Sequence, residues 1–402
     1  MVFFIIIMLF VGMLLIAKAK LTAQGMVTLT INDDQKSCVP AGSTLLETLT
    51  AQNILLPSAC GGKGTCAMCK CQVKAGGRSI LPTETVFFNR KEQQSHWRLA
   101  CQVKVQKDIK ISIPKEVMGI KKWECEVISN HNVAAFIKEC IIKLPEGERL
   151  DFRSGSYVQI YVPKIDIDYS EMAIGRPFLD EWDQLKMWGL KMSNKEETYR
   201  VYSVANHPAE GDIVMLNVRI AIPPLDKKNN NFKSVNPGIC SSFIFSRIPG
   251  DKVTISGPYG EFFVKETSKE MMFIGGGAGM APLRSHIFDL FHTKHTNRII
   301  SFWYGARSKS EIFYEDHFRA IEKDYENFRF EIALSEPKPE DNWDGFTGFI
   351  SDVIYEQYLR NHDEPEEIEY YICGPPKMND AVLEMLYDLG VPDDNIAFDK
   401  FS

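Results

Sequence analysis

The sequence lacks any run rich in lysine and arginine, and its 46 basic residues are outnumbered by 53 acidic ones. The resulting net charge of −7 argues against a nucleic-acid-binding protein, because such proteins present basic surfaces to phosphates. Internal repeats and low-complexity tracts are also missing. Apolar residues make up 45% and charged residues 25% of the chain, which is ordinary for globular proteins. The length of 402 residues predicts two or three domains.

Charge is also missing from the first 17 residues, MVFFIIIMLFVGMLLIA. Lys18 and Lys20 follow this apolar run, whereas a secretory signal peptide carries its positive charge in front. As a helix the run would be about 26 Å long, slightly short of the roughly 30 Å hydrocarbon core. We expect residues 1–20 to be a single-pass anchor in the cell inner membrane, with the body on the cytoplasmic side. The alternative is a buried N-terminal core helix.

Four of the ten cysteines form a pattern that predicts ligands. Cys60, Cys66 and Cys69 lie within ten residues, and Cys101 follows 32 positions later. Three glycines between the first two cysteines let the backbone turn tightly and direct N–H groups at sulfur. The remaining six are scattered, and a reducing compartment fits a long chain of ordinary composition. They are Cys38, Cys71, Cys125, Cys140, Cys240 and Cys373.

Closely spaced thiolates bind a metal ion or an iron–sulfur cluster. Plant-type [2Fe–2S] domains use C-x4-C-x2-C and a distant fourth cysteine, and here the first gap is five residues. Zinc is the alternative, although structural zinc sites usually use a second close pair of ligands. The spacing favours a [2Fe–2S] cluster on Cys60, Cys66, Cys69 and Cys101. Cys71 is expected to be a core residue of a neighbouring strand.

The patterning changes twice along the chain. Residues 26–114 combine a hairpin, a helix, the cysteine loop and closing strands, an order that resembles the ferredoxin β-grasp fold. Residues 115–122 are predicted to be a linker. Short strands separated by turn residues predict an antiparallel barrel over 123–266. Apolar strands alternate with helices over 267–402, which predicts a parallel α/β sheet.

One segment of the predicted barrel is too long for a simple loop. Residues 164–197 separate two strands and contain Trp182 and Trp188. Long excursions are often functional, so the two tryptophans indicate either a docking surface or packing on the barrel. The sequence favours neither.

Two motifs lie in the barrel region. In Arg200-Val-Tyr202-Ser203, arginine can clamp a phosphate, tyrosine can cover an aromatic ring system and serine can bond a ring nitrogen. In Gly238-Ile-Cys-Ser241-Ser242, hydroxyls and N–H groups at a helix start can bind pyrophosphate. Alone, each motif is equally compatible with an ordinary strand or an ordinary helix cap.

Two further motifs lie in the α/β region. The run 274–282, IGGGAGMAP, follows a strand and opens a helix, which favours the approach of a dinucleotide's phosphates. It is not the G-x-G-x-x-G fingerprint, because Met280 occupies the place of the last glycine. Cys373-Gly374-Pro-Pro ends a predicted core strand, at the edge where such sheets bind ligands. The alternative for Cys373 is a small core thiol.

Together these motifs resemble the ferredoxin–NADP reductase superfamily across residues 123–402. A ferredoxin fused in front, the apolar start, Ile120–Cys125 and E-D-N-W at Glu340–Trp343 narrow the resemblance to F subunits of sodium-translocating NADH:quinone oxidoreductases. The resemblance implies a multidomain α+β and α/β protein with five parts. These are a membrane helix (1–20), a β-grasp [2Fe–2S] ferredoxin domain (26–114), a linker (115–122), an antiparallel β-barrel FAD domain (123–266) and a parallel α/β NADH domain (267–402).

The same resemblance implies the site residues. FAD is expected on Arg200, Tyr202 and Ser203, NADH against the glycine run, and Cys373 near the nicotinamide. Phe401 corresponds to a C-terminal aromatic that stacks on the flavin, and Ser203, Cys373 and Phe401 are the expected catalytic residues. The other expected cofactor-binding residues are Asn217, Arg219, Gly238, Ser241, Ser242, Gly275, Gly276, Gly277, Gly279 and Gly374.

The implied function is the subunit through which electrons enter a membrane NADH:quinone oxidoreductase. NADH would reduce FAD by hydride transfer, and single electrons would pass through the cluster to partner membrane subunits and, through the complex, to quinone. Sodium transport is implied by resemblance alone, since nothing in residues 26–402 could carry an ion. One alternative is the reductase of a multicomponent oxygenase, which lacks a membrane segment. The other is an anchored ferredoxin module whose C-terminal half only binds nucleotide as a sensor. Arg307 could meet the 2′-phosphate of NADPH, although the resemblance implies NADH.

Overall fold

The computed structural model describes residues 2–21, 25–226 and 231–399. The chain divides into two compact units, one ending at Lys121 and the other beginning at Lys122. The division falls inside the segment predicted to be a linker.

The chain begins with helix α1 (Val2–Leu21). The side chains from Phe3 to Val11 are apolar and exposed, with Phe3 at 77% exposure. Within the part of the chain that the structure describes, no helix meets the combined requirement of length and apolar character for crossing a membrane. Residues 2–20 of the predicted anchor thus form a helix, and the insertion of this helix in a membrane stays a prediction.

The rest of the first unit is a five-stranded mixed sheet with a helix packed on it. The strand order is β2-β1-β5-β3-β4, and β1 pairs in parallel with β5. Helix α2 starts with a capping box, in which Thr44 and Glu47 each bond the other's backbone N–H, and its leucines fill the core. The predicted ferredoxin-like arrangement is confirmed. The elements are β1 (Met26–Ile31), β2 (Gln35–Pro40), α2 (Leu45–Ala51), β3 (Lys70–Ala75), α3 (Pro82–Thr85), α4 (Arg90–Gln94), β4 (Trp97–Leu99) and β5 (Ile109–Ser112).

The second unit starts with a six-stranded sheet in the order β11-β8-β15-β6-β7-β12. The predicted barrel does not close. Edge strands β11 and β12 are joined by the isolated bridge Val204–Leu216, immediately after the end of β11. The elements are β6 (Lys121–Ala134), β7 (Ile137–Lys143), β8 (Tyr157–Val162), β9 (Ile165–Asp168), α5 (Leu179–Gln184), β10 (Lys191–Asn194), β11 (Thr198–Ser203), β12 (Ile213–Arg219), β13 (Leu225–Asp226), β14 (Asn231–Phe232), α6 (Ile239–Phe245) and β15 (Lys252–Tyr259).

The excursion at 164–197 folds onto this sheet. Strands β9 and β10 form a hairpin, and α5 carries Trp182 into the core, where the tryptophan is fully buried. Its indole N–H donates to the carbonyl of Ala135 at 2.8 Å, and its ring lies 5.1 Å from that of Trp188. Packing, not docking, explains Trp182.

The remaining part of the second unit is a six-stranded parallel sheet in the order β19-β18-β17-β16-β20-β21. Strands β16 and β20 are buried along their whole length, as expected for parallel strands covered on both faces. The predicted parallel α/β sheet is confirmed. Its elements are β16 (Met271–Gly276), α7 (Met280–Phe288), β17 (Ile300–Ala306), α8 (Glu315–Asp324), β18 (Phe328–Leu334), β19 (Phe346–Thr347), α9 (Ile350–Gln357), β20 (Glu369–Cys373), α10 (Pro376–Asp388) and β21 (Ile396–Asp399).

The packing of Trp182 can be tested by truncation. Trp182→Ala is expected to lower the free energy of unfolding by about 3–5 kcal/mol, because it empties a fully enclosed site. Thermal or denaturant unfolding of the whole chain measures the change. Phe349→Ala, which alters a side chain that is 71% exposed, is the control and is expected to change stability little. Unchanged stability of the Trp182 variant would restore the docking interpretation.

Candidate functional site

The four predicted ligand cysteines form two pairs. The thiol of Cys66 donates to Cys60, with the two Sγ atoms 3.4 Å apart. Cys69 and Cys101 form the second hydrogen-bonded pair. Cys71, in contrast, is fully buried in β3, as predicted for a core residue.

The cysteine loop owes its shape to glycine. Gly61, Gly62 and Gly64 have φ angles of 65°, 81° and 78°, in the left-handed region that favours glycine. This turn lets backbone N–H groups of Thr65 and Cys66 donate to the sulfur of Cys60. The N–H of Gly64 donates likewise to the sulfur of Cys101.

Within each pair, one thiol is more acidic than the other. Donation from Cys66 lowers the pKa of Cys60 to about 3 and raises that of Cys66. Contact with Cys69 lowers the pKa of Cys101 to about 7, whereas the pKa of Cys69 is raised. Sulfurs that already receive N–H bonds are suited to bind as thiolates.

The pairing of the four cysteines indicates whether they suit a single metal ion or an iron–sulfur cluster. Among the described residues, no set of three or more His, Cys, Asp or Glu side chains is placed to hold a single metal ion. A [2Fe–2S] cluster takes four cysteines, two on each iron. Two sulfur pairs surrounded by N–H donors fit that group.

Strand β11 positions Arg200, Tyr202 and Ser203. The Arg200 guanidinium donates to the carbonyl of Tyr199 at 2.6 Å and to Thr198 Oγ1 at 3.2 Å. Burial raises the pKa of Tyr202, and the thiol of Cys240 lies in contact with its hydroxyl.

Ser203 leads to a residue that the sequence did not reveal. Its hydroxyl donates to Asp399 Oδ2 at 3.0 Å, and burial raises the pKa of Asp399. Asp399 lies in β21 directly opposite Cys373 in β20. The structure therefore brings Ser203, Asp399 and Cys373 together. Only the register of the last strand could have pointed to Asp399.

The predicted residues of β12 are engaged differently. The Asn217 amide donates to the Tyr314 hydroxyl at 2.7 Å, while its buried Oδ1 has no hydrogen-bond partner among the described residues. Arg219 reaches the glycine loop, because a β-carbon on Gly277 would lie 3.5 Å from its Nη1.

The predicted helix start at Gly238 is α6. Ser241 accepts from the N–H of Ala221 and donates to the carbonyl of Gly238, both at 3.1 Å. The hydroxyl of Ser242 is fully buried, bonding Gly238 at 2.6 Å and Tyr169 at 2.7 Å. Both hydrogen bonds fix the orientation of the Ser242 hydroxyl, and its role in cofactor binding stays a prediction.

The glycine run and the Cys373 turn meet because β16 and β20 are parallel neighbours with Gly275 opposite Cys373. A β-carbon on Gly279 would overlap the carbonyl of Cys373. One on Gly276 would lie 2.9 Å from Met378 Sδ, and one on Gly374 would overlap the same side chain. Gly277 has a φ of 54°. These glycines allow the chain to pass close to the start of α7.

Two other predicted residues need a separate account. Phe401 lies outside the described residues. Arg307, the candidate for a 2′-phosphate, follows β17, and its guanidinium is paired with the carboxylate of Glu311. This partner raises the pKa of Arg307.

The contact between the glycine run and the Cys373 turn can be tested with Gly279→Ala. The added carbon meets backbone that cannot move cheaply, so we expect a loss of about 1–3 kcal/mol in stability and weaker NADH binding. Thermal unfolding and an NADH titration measure both effects. Gly189→Ala is the control, because its β-carbon would have nothing within 4 Å. A Gly279 variant as stable as this control would contradict the close approach.

Models of known protein families match two separate parts of the chain. The family model described as "2Fe-2S iron-sulfur cluster binding domain" matches residues 29–106, and that described as "Oxidoreductase NAD-binding domain" matches residues 273–384. A cytochrome P450 reductase from Amycolatopsis has a similar structure, with TM-score 0.62, 22% identity, and 93% and 98% of the two chains covered. The ferredoxin reductase in carbazole 1,9a-dioxygenase has TM-score 0.59, 22% identity, and coverage of 94% and 99%. At this identity, these likenesses show the fold.

Relatives of much higher identity cover nearly the whole chain. A protein of Neisseria gonorrhoeae is 50% identical over 399 residues, which are 99% of this chain and 97% of the relative. One of Psychrobacter arcticus is 51% identical over 401 residues, with coverage of 99% and 97%. One of Pseudomonas aeruginosa is 50% identical over 391 residues, with coverage of 97% and 95%. All three are named as F subunits of Na(+)-translocating NADH-quinone reductase, and the chain belongs to this family.

Proposed function

We propose that this chain is the subunit through which electrons enter a sodium-translocating NADH:quinone oxidoreductase. One observation carries the proposal. A single chain of this family contains both a site of four cysteines and a glycine run, residues 275–279, that packs against the turn after Cys373. The first suits one-electron transfer and the second suits a nicotinamide dinucleotide. The cofactors are FAD and a [2Fe–2S] cluster, and NADH is the substrate.

The chemistry explains why both cofactors are needed. When bound, a flavin accepts two electrons from NADH and can release them singly, whereas an iron–sulfur cluster takes one at a time. The protein binds and orients these groups, and positioning carries most of the catalytic effect in such a transfer.

The dinucleotide is proposed to lie along the loop 275–279, with its nicotinamide near Cys373 and Gly374. Because the glycines have no side chains, phosphates can approach the N-terminal N–H groups of α7. The carboxylate of Glu311 forms an ion pair with the guanidinium of Arg307. This pair favours NADH over NADPH, because the 2′-phosphate of NADPH would meet the negative charge of Glu311.

FAD is proposed to lie against β11, with Arg200 binding phosphate, Tyr202 covering the ring system and Ser203 bonding a ring nitrogen. Asp399 orients the Ser203 hydroxyl through their 3.0 Å hydrogen bond. Its raised pKa lets the carboxyl keep a proton closer to neutral pH. The residues proposed to lie near the ribityl chain and diphosphate are Asn217, Arg219, Gly238, Ser241 and Ser242. Phe401 remains the proposed stacking aromatic.

Two alternatives are less well supported. An oxygenase reductase shares the fold, but the sequence of the one compared is 22% identical to this chain. The F subunits are 50% and 51% identical. A sensor, in which an anchored ferredoxin module is joined to a C-terminal half that only binds nucleotide, would need no flavin. Bleaching of flavin absorbance by NADH separates an enzyme from a sensor.

The proposed electron relay, from NADH through the flavin and the cluster to the partner subunits, can be tested with Cys66→Ala. Removal of one ligand should abolish single-electron transfer to the partner subunits, while NADH should still bleach the flavin at the normal rate. Stopped-flow absorbance and an assay with the partner subunits measure the two steps. Cys38→Ala, which alters an exposed cysteine in β2, is the control. Onward transfer at the normal rate in the Cys66 variant would exclude the relay.

Helix α1 is proposed to anchor the chain in the cell inner membrane by a single pass, with residues 25–399 on the cytoplasmic side beside other subunits of the complex. The exposed apolar side chains from Phe3 to Met13 and the lysines that follow them support this proposal.

The anchor can be tested by deleting residues 2–20. In cells without the partner subunits, the full chain should sediment with membranes and the truncated chain should be soluble, because the exposed apolar surface is lost. The truncated chain should still reduce artificial acceptors with NADH. After mild-detergent purification, complexes with the full chain should show sodium-stimulated NADH:quinone activity. A truncated chain that still sediments with membranes would show that the anchor lies elsewhere.

A further inference from the structure

A buried ion pair lies in the ferredoxin-like unit. Glu84 in α3 is 0% exposed and Arg98 in β4 is 5% exposed, and Arg98 Nη2 lies 2.6 Å from Glu84 Oε2. Arg98 Nε donates to both carboxylate oxygens, at 3.0 and 3.1 Å. The carboxylate also accepts from the backbone N–H of Leu81 at 3.0 Å. The other end of the guanidinium donates to the carbonyl of Arg78 at 2.5 Å.

The pair is connected to the segment that carries the fourth cysteine. Glu84 Oε1 accepts from the N–H of Leu99 at 2.9 Å, two residues before Cys101. The next N–H, that of Ala100, donates to the carbonyl of Cys69 at 2.8 Å. The two hydrogen bonds fix successive residues, so Glu84 holds in place the turn that presents Cys101 to Cys69.

The charges of the pair reach the cysteines. Cys71 lies directly opposite Arg98 in the register of β3 and β4. In a dry interior such charges act over longer distances than in water. Neutralisation of one partner would therefore leave an uncompensated charge near the sulfur atoms.

We propose that Glu84 and Arg98 are positioning residues for the iron–sulfur centre, which fix Cys101 against Cys69 and, by cancelling each other's charge, set the reduction potential of the cluster. This inference depends on the proposed role of the four cysteines. Reduction adds an electron, so a nearby uncompensated cation favours the reduced form and an uncompensated anion opposes it.

Three variants of the whole chain test the proposal. Glu84→Gln leaves Arg98 unpaired and is expected to shift the cluster potential in the positive direction. Arg98→Met leaves Glu84 unpaired and is expected to shift it in the negative direction. Each single variant should change the equilibrium constant for one-electron reduction about tenfold, which corresponds to a shift of about 59 mV in the potential. The double variant should return close to the wild-type potential. Redox titration followed by electron paramagnetic resonance of the cluster measures all three.

A matched control is Glu92→Gln. Glu92 also lies at the third position of a short helix and accepts from the N–H of the preceding cap, Asn89, at 2.8 Å, but it has no arginine partner among the described residues. Its substitution should leave the potential unchanged. Single shifts of the same sign, or no shift in either, would overturn the proposal.

Cluster content gives a second readout if a single variant assembles poorly. Cluster loss in Glu84→Gln that is recovered in the double variant supports the charge argument. Loss in both overturns it and leaves only a packing role. A wild-type chain with no [2Fe–2S] signal would instead refute the proposed function. A wild-type signal with unmoved variants would refute only this inference.

Discussion

The parallel pairing of β16 with β20 is the constraint on which the nucleotide site depends. It places Gly275 opposite Cys373 and leaves so little space that Gly279 must lack a side chain beneath the Cys373 carbonyl. Strand β20 also pairs with β21, which sets Asp399 beside Cys373, and Asp399 bonds Ser203 of the other sheet. One central strand thus aligns the glycine loop and the thiol with a carboxyl group that bonds a serine 196 residues away from it along the chain.

The ferredoxin-like unit solves a comparable problem with fewer residues. Left-handed glycines turn the loop so that N–H groups face sulfur, and the sheet register brings the distant segment of Cys101 back to Cys69. The buried Glu84–Arg98 pair lies behind this segment. A buried ion pair often contributes little to net stability. The hydrogen bonds from this pair to the neighbouring backbone are therefore better explained by their effect on the position of Cys101.

Sequence reasoning was accurate where the signal is local. Strand and helix types and the parallel sheet of the last part followed from periodicity and apolar runs, whereas the arrangement of the first unit followed from its resemblance to ferredoxins. It was wrong or undecided where the answer depends on packing. The barrel does not close, and Trp182 is a core residue because its indole N–H donates to Ala135 and its ring stacks with that of Phe245. None of these partners is close in sequence.

The sequence by itself determined the chemistry available to this protein: four thiols at ligand spacing, a glycine run between a strand and a helix, and the family to which these motifs point. Such features depend on residue type and on short separations along the chain. Tertiary structure alone decided that the thiols form two pairs, that Asp399 joins Ser203 and Cys373, and that Glu84 and Arg98 share a buried site. Those contacts depend on the register between distant strands, which many residues set jointly and no single motif encodes.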